Sequence, residues 1–318
     1  MKYEFVGLDE AGLGPNLGPL VCTATSWELP ADAASFDFYA ALAPTVLQSG
    51  KAKDVGLHIA DSKDVFSGKG AFGRLERAAV ALLRNAGCQA ATLLDLITWL
   101  TVDNAGEKST AGELWLESDN IAVPFELDAS DVDSWARRLE AAIKLANMGS
   151  LHISSSVLFP RRFNKRIDET GNKSLLLSTT MFETLKRVWS PKSDFASFVV
   201  SDKHGGRNRY GDLLTVAYGG QPIETLEEGP ELSRYTLVGN EVRFQVGGEA
   251  HLPVAAASIV SKYVRELSME AFNRFWKRHL PDIKPTKGYP NDAKRFRDET
   301  AETRKCLGIA DADFWRAR

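Results

Sequence analysis

The sequence predicts an α/β fold, a central mixed β-sheet flanked by helices, and three observations carry that reading. Short apolar runs of strand length occur at 5–8 and 195–200, and 151–159 also reads as a strand. Longer stretches with apolar residues at helical spacing lie at 132–147, 174–189 and 254–279. The two kinds of segment alternate along the chain, as they do in α/β domains.

In order, a strand near 3–8 and a second near 19–28 flank a turn containing Gly12, Gly14 and Pro15, and read as an antiparallel pair. Asp61-Ser62-Lys63 occupies a loop ahead of a helix over 71–86 that ends at Gly87. From 88 the pattern is less regular until the helix over 132–147. There Val132, Trp135, Leu139, Ala142, Ile143 and Ala146 share one face, with Asp131 near the cap. The strand at 151–159 runs into a basic cluster. Leu177, Met181, Leu185 and Val188 mark the helix over 174–189, and the strand at 195–200 ends at Ser201-Asp202. A hairpin is expected next, with strands at 235–238 and 242–246 joined at Gly239-Asn240. The long helix over 254–279 follows, and Pro281, Pro285 and Pro290 punctuate the approach to a last helix over 291–303.

The 318 residues suffice for a substantial core, and 44% hydrophobic with 25% charged residues is ordinary for a soluble globular protein. Cys22, Cys88 and Cys306 are scattered without metal-ligand spacing, so free thiols in a reducing compartment are expected. No long apolar segment precedes the first strand, which points to a cytoplasmic protein with no membrane partner. A net charge of −3 argues against a general nucleic-acid coat protein. The basic residues nevertheless gather in clusters. One holds Arg161, Arg162, Lys165 and Arg166, another Lys203, His204, Arg207 and Arg209, and a third runs from Arg274 to Arg297. Each alone reads first as a solvated face; together, in an acidic chain, they suit a metal-using nuclease.

The acids give the chemistry. Asp9 and Glu10 follow the first strand and lead into the glycine-rich turn, where a second backbone or a phosphate can come close. Alone, such a pair reads as a solvated strand end. Asp202 also ends a strand, and strand ends are where α/β sheets collect their chemistry. Ser258, Lys262 and Glu266 share a stripe of the long helix, beside the apolar stripe of Val260, Val264, Leu267 and Ala271. Glu266 either leans over the same strand ends or pairs with Lys262 at the surface, and spacing alone favours the pair. Four carboxylates without histidine or thiolate partners select Mg²⁺ or Mn²⁺ over zinc. Two such ions about 3.5–4 Å apart activate water and stabilise the leaving oxygen in phosphodiester hydrolysis. The sequence has no Walker A motif, nucleophile elbow or zinc-binding histidine pair.

These segments resemble the type 2 ribonuclease H (ribonuclease HII) family. Residues 7–15 with Gly18-Pro19 are similar to its first signature, and Asp61-Ser62-Lys63 to its second. The strand ending at Asp202, residues 255–262 with Arg265-Glu266, and Lys287-Gly288-Tyr289-Pro290 follow in the family's order. The resemblance implies a ribonuclease H-like fold and two-metal cleavage of the RNA strand of RNA–DNA hybrids, leaving 3′-hydroxyl and 5′-phosphate ends. It makes Asp9, Glu10, Asp202 and Glu266 the catalytic metal-binding acids, holding two Mg²⁺ or Mn²⁺ ions. Lys63 and Lys262 would face phosphates. The Gly12-Leu13-Gly14 backbone, Ser62, Ser258 and Tyr289 complete the substrate contacts. For Tyr289, a plain turn residue before Pro290 is an equal reading.

Three departures stand out. Leu13 replaces the family's arginine, Glu266 replaces its usual aspartate, and the chain is longer, with insertions expected near 88–150 and 203–245. The expected organisation is a catalytic domain over 1–280 and a helical extension over 281–318 packing on it, with no obligate protein partner evident. Two alternatives stay open: a nuclease of the same fold acting on structured DNA, and a non-catalytic nucleic-acid-binding protein on this scaffold.

Overall fold

The computed structural model describes residues 2–48, 56–101, 113–118 and 120–317. Parts of the expected 88–150 insertion, at 102–112 and 119, lie outside the described residues. Seven strands form the main sheet: β1 (Lys2–Ala11), β2 (Leu20–Leu29), β3 (Leu151–Leu158), β4 (Phe195–Asp202), β5 (Ile223–Glu228), β6 (Leu232–Leu237) and β7 (Asn240–Gln245). Their order is β3-β2-β1-β4-β7-β6-β5. Strand β1 is buried from Glu4 to Asp9, as a continuous apolar run covered on both faces demands. It pairs antiparallel with β2 and parallel with β4, which is itself parallel to β7. The carboxyl ends of β1, β4 and β7 therefore open on one edge.

The principal helices are α1 (Ala71–Asn85), α2 (Ala129–Leu145), α3 (Pro160–Thr170), α4 (Lys173–Val188), α5 (Leu252–His279) and α6 (Pro290–Glu299). They cover both faces of the sheet, and side-chain alternation along β1 divides the core between them. Phe5 packs with residues of α1, α2 and α5, whereas Val6 and Leu8 pack with α3 and α4. Helix α5 lies directly on β1. A Cβ at Gly7 would come within 2.2 Å of the Pro253 carbonyl carbon, so only glycine admits the first turn of this helix. Thr25 on β2 fixes the same turn, its hydroxyl donating to the Pro253 carbonyl at 2.8 Å.

The structure corrects several local expectations. Residues 223–245, inside the stretch expected as an insertion near 203–245, supply three strands of the main sheet. The hairpin turns at Val238-Gly239, one residue earlier than expected, with both residues at positive φ. Asn240 belongs to β7 because its side-chain amide is already committed. It accepts from the Ser197 N–H at 2.8 Å and donates to the Pro191 carbonyl at 3.1 Å. The last helix breaks at Thr300, between α6 and a short helix, Ala301–Cys306. Helix α3 carries the first basic cluster, and its arginines pair within the chain. Arg161 forks onto Asp313 at 2.6 and 2.7 Å, and Arg166 onto Glu183 at 2.8 and 2.7 Å. Lys203, from the second cluster, is buried and donates to Gly229 O and Ser233 Oγ, both at 2.7 Å.

Residues beyond 281 pack on α5: the Phe314 ring meets Trp276 edge-on at 5.6 Å and lies 5.8 Å from Phe272. Among the described residues, no helix is long and apolar enough to cross a membrane. The contact at Gly7 gives a direct test. Gly7→Ala forces β1 and α5 apart and is expected to destabilise the protein by at least about 2 kcal/mol, read as a lowered urea midpoint with unchanged slope.

Candidate active site

The sheet edge where β1, β4 and β7 end carries a cavity of about 430 Å³. Its walls include Asp9, Glu10, Gly12, Leu13, Gly14, Ser62, Lys63, Asp202, Ser258, Lys262 and Tyr289, which is every site residue expected from the sequence except Glu266. Carboxylate oxygens of Asp9, Asp202 and Glu249 lie within 4.8 Å of one another, and Glu10 lines the same space.

Glu249 enters through the backbone. Strand β7 runs parallel to β4, so the turn that follows it arrives beside Asp202. There the Gly248 N–H donates to Asp202 Oδ1 at 3.1 Å, and a Cβ on Gly248 would press the Asp202 backbone at 3.1–3.2 Å. The next residue is Glu249, held against the cavity by this contact. Three residues later α5 begins.

Helix α5 supplies the opposite wall. Ser258 Oγ donates to Ser62 Oγ at 2.9 Å, which ties the helix to the short helical turn Ser62–Val65. Asp61 caps that turn by accepting from the Lys63 N–H at 2.9 Å, so the Asp-Ser-Lys motif presents its serine and lysine together. Ser261 donates to Thr23 on β2 at 2.7 Å. Lys262 reaches the cavity, its ammonium 4.7 Å from the centre of the Phe66 ring, with Lys287 5.9 Å from the same ring.

Glu266 does not join the acids. It pairs with Lys262 at 2.7 Å, one turn farther along the helix. The fourth acid lining the cavity is Glu249. Sequence reasoning missed it because it sits in a Gly-Gly-Glu turn without periodicity. The available signal was an acid at the exit of the last strand, just ahead of the helix start at 252–253.

The electrostatics follow from crowding. Burial pushes the Asp9 carboxyl well above the usual range, and Glu10 and Glu249 push it further. Glu10 is raised to about 7 by burial and then by Asp202 and Glu249. Glu249 is raised by burial, with Asp202 and Asp61 adding to it. Asp61 holds the Lys63 ammonium above its ordinary value, helped by Glu249, Asp9 and Asp202 and opposed by burial. A site that disfavours its own ionised acids is one that gains from a bound cation, and its oxygen-only donor set fits Mg²⁺ or Mn²⁺.

The chain matches no protein-family model and no curated protein sequence. It is similar to several solved structures. Over 99% of its length it aligns with 94% of a chain in the PCNA:RNase HII complex from Archaeoglobus fulgidus, at 14% identity and a TM-score of 0.42. Over 98% it aligns with 92% of the ribonuclease H2 of Pyrococcus horikoshii OT3, at 14% identity and a TM-score of 0.43. Bst-RNase HIII in complex with Mn²⁺ aligns over 99% of this chain and 66% of its own, at 16% identity and a TM-score of 0.45.

The two glutamates make opposite predictions. Glu249→Gln is expected to weaken Mn²⁺ binding, followed by calorimetry, by at least about tenfold, the scale seen even for outer-shell partners. Glu266→Gln is expected to leave it within about threefold, because Glu266 is paired with Lys262 and does not line the cavity.

Proposed function

We propose that this protein is a metal-dependent ribonuclease H-type endonuclease that hydrolyses the RNA strand of RNA–DNA hybrids. The observation that carries the reading is the meeting of Asp9, Asp202 and Glu249, with Glu10 beside them, at the carboxyl edge of parallel strands. The ordered run of motifs shared with type 2 ribonucleases H supports the same reaction class. Asp9, Glu10, Asp202 and Glu249 are the residues we assign to hold two ions, Glu249 taking the place first expected for Glu266. Bound Mg²⁺ or Mn²⁺ supplies an activated water and neutralises charge on the leaving oxygen.

The remaining groups bind and orient. Lys63 and Lys262 offer ammonium groups to the phosphates on either side of the acids. Tyr289, 53% exposed at the cavity rim, presents a ring for a sugar or base to stack on. The glycine-rich turn brings backbone N–H groups to the ribose, where the 2′-hydroxyl separates RNA from DNA. Leu13 lines the cavity where the family carries a cation, and this favours one second reading, a nuclease of the same chemistry acting on structured DNA.

End-labelled duplexes separate these readings: an RNA–DNA hybrid, a duplex with one embedded ribonucleotide, and linear and branched DNA, each with Mg²⁺ or Mn²⁺. The proposed activity cuts at ribonucleotides only, and Asp9→Asn lowers the rate by at least about a thousandfold while the protein stays folded. Cutting confined to DNA supports the second reading. Cleavage that survives Asp9→Asn contradicts both.

A further inference from the structure

The glycine-rich turn between β1 and β2 is held from behind by two buried guanidinium groups. Arg265, on α5, donates to the Pro19 carbonyl at 2.7 Å and to the Lys287 carbonyl at 3.1 Å. Arg316 comes from the far end of the chain and is fully buried. It donates from Nη1 to the Gly12 carbonyl at 2.5 Å and from Nη2 to the Leu13 carbonyl at 2.9 Å. Its own N–H donates to the Asn16 carbonyl at 2.9 Å, and its guanidinium lies 4.0 Å from the centre of the Phe163 ring. Among the described residues no carboxylate pairs with Arg316, so its compensation comes from carbonyl dipoles and the ring face, with Nε left without a hydrogen-bond partner.

That compensation fixes the direction of two peptides. The bonds joining Gly12, Leu13 and Gly14 are trans, and in a planar trans peptide the C=O and N–H point opposite ways. With the Gly12 and Leu13 carbonyls drawn onto Arg316, the Leu13 and Gly14 N–H groups face away from it. Neither N–H has a hydrogen-bond partner among the described residues, and both residues line the cavity that holds the acids.

We propose that Arg316 is a positioning residue for substrate recognition, presenting the Leu13 and Gly14 N–H groups as a donor pair to a ribose oxygen of the bound strand. The identity of that strand rests on the function proposed above. The Arg316 charge thereby sits behind the turn, where it acts through the backbone instead of touching substrate.

Two measurements on the full chain test this. Arg316→Gln removes the charge, and Arg316→Lys keeps it but loses the fork that reaches two carbonyls. In the free protein, ¹⁵N order parameters at Leu13 and Gly14 are expected to fall in both variants from about 0.85 to below about 0.6, while those of β1 hold. On a hybrid, kcat/KM is expected to fall at least about tenfold, and the preference for a ribonucleotide over a deoxyribonucleotide at the cut site to fall with it. A purely structural role lowers both rates equally and leaves that preference unchanged. Unchanged order parameters, or an unchanged preference in a protein whose turn has loosened, overturn the proposal. Should Arg316→Gln fail to fold, Arg316→Lys decides alone. A natural chain that cuts no hybrid removes the functional reading, and the order parameters then decide whether Arg316 holds the turn.

Discussion

Mutual repulsion among carboxylates is the constraint that the rest of this structure serves. Asp9, Glu10, Asp202 and Glu249 line one cavity, and three of them bring oxygens within 4.8 Å. Left to themselves, such groups separate or take up protons. Here each is fixed by backbone that cannot yield cheaply. Asp9 and Glu10 are paired to β2 just past the point where β1 leaves β4, Asp202 ends that parallel neighbour, and Glu249 follows a glycine pressed against Asp202. Gathering them costs stability, and a divalent cation held there would offset that cost.

Helix α5 is the second half of that frame. Its first turn sits on Gly7, its serines tie it to Ser62 and Thr23, and its Lys262 faces the acids. One element thus sets the height of the cavity wall and places a cation in it. Farther along, Arg265 reaches under the glycine-rich turn, so the floor and the wall share one rigid body. The segment around Arg316 closes the same turn from the other side, strapped to α3 by Arg161–Asp313 and by Asn164 donating to the Trp315 carbonyl at 2.8 Å.

Local chemistry was legible in the sequence wherever one short segment carries it. Asp9-Glu10 before a glycine-rich turn, the Asp-Ser-Lys cap and Asp202 at a strand exit all reach the cavity. The alternation of strands and helices gave the α/β class for the same reason. What failed was non-local. Glu249 depends on β7 pairing in parallel with β4, a register that no periodicity reveals, whereas Glu266 shared a helical stripe with true cavity residues and ran past the site. Residues 223–245 extend the sheet because of that same pairing. Arg316 is a buried cation whose carbonyl partners lie about three hundred residues earlier, so nothing near it in sequence announces its place.

Anomalous diffraction from crystals grown with Mn²⁺ is the most direct test of the central claim, that Asp9, Glu10, Asp202 and Glu249 form one metal centre. The account predicts anomalous density bonded to oxygens of these four residues, with Glu266 still on Lys262. Density coordinated by Glu266, or none at this sheet edge when Mn²⁺ is bound elsewhere, would contradict it.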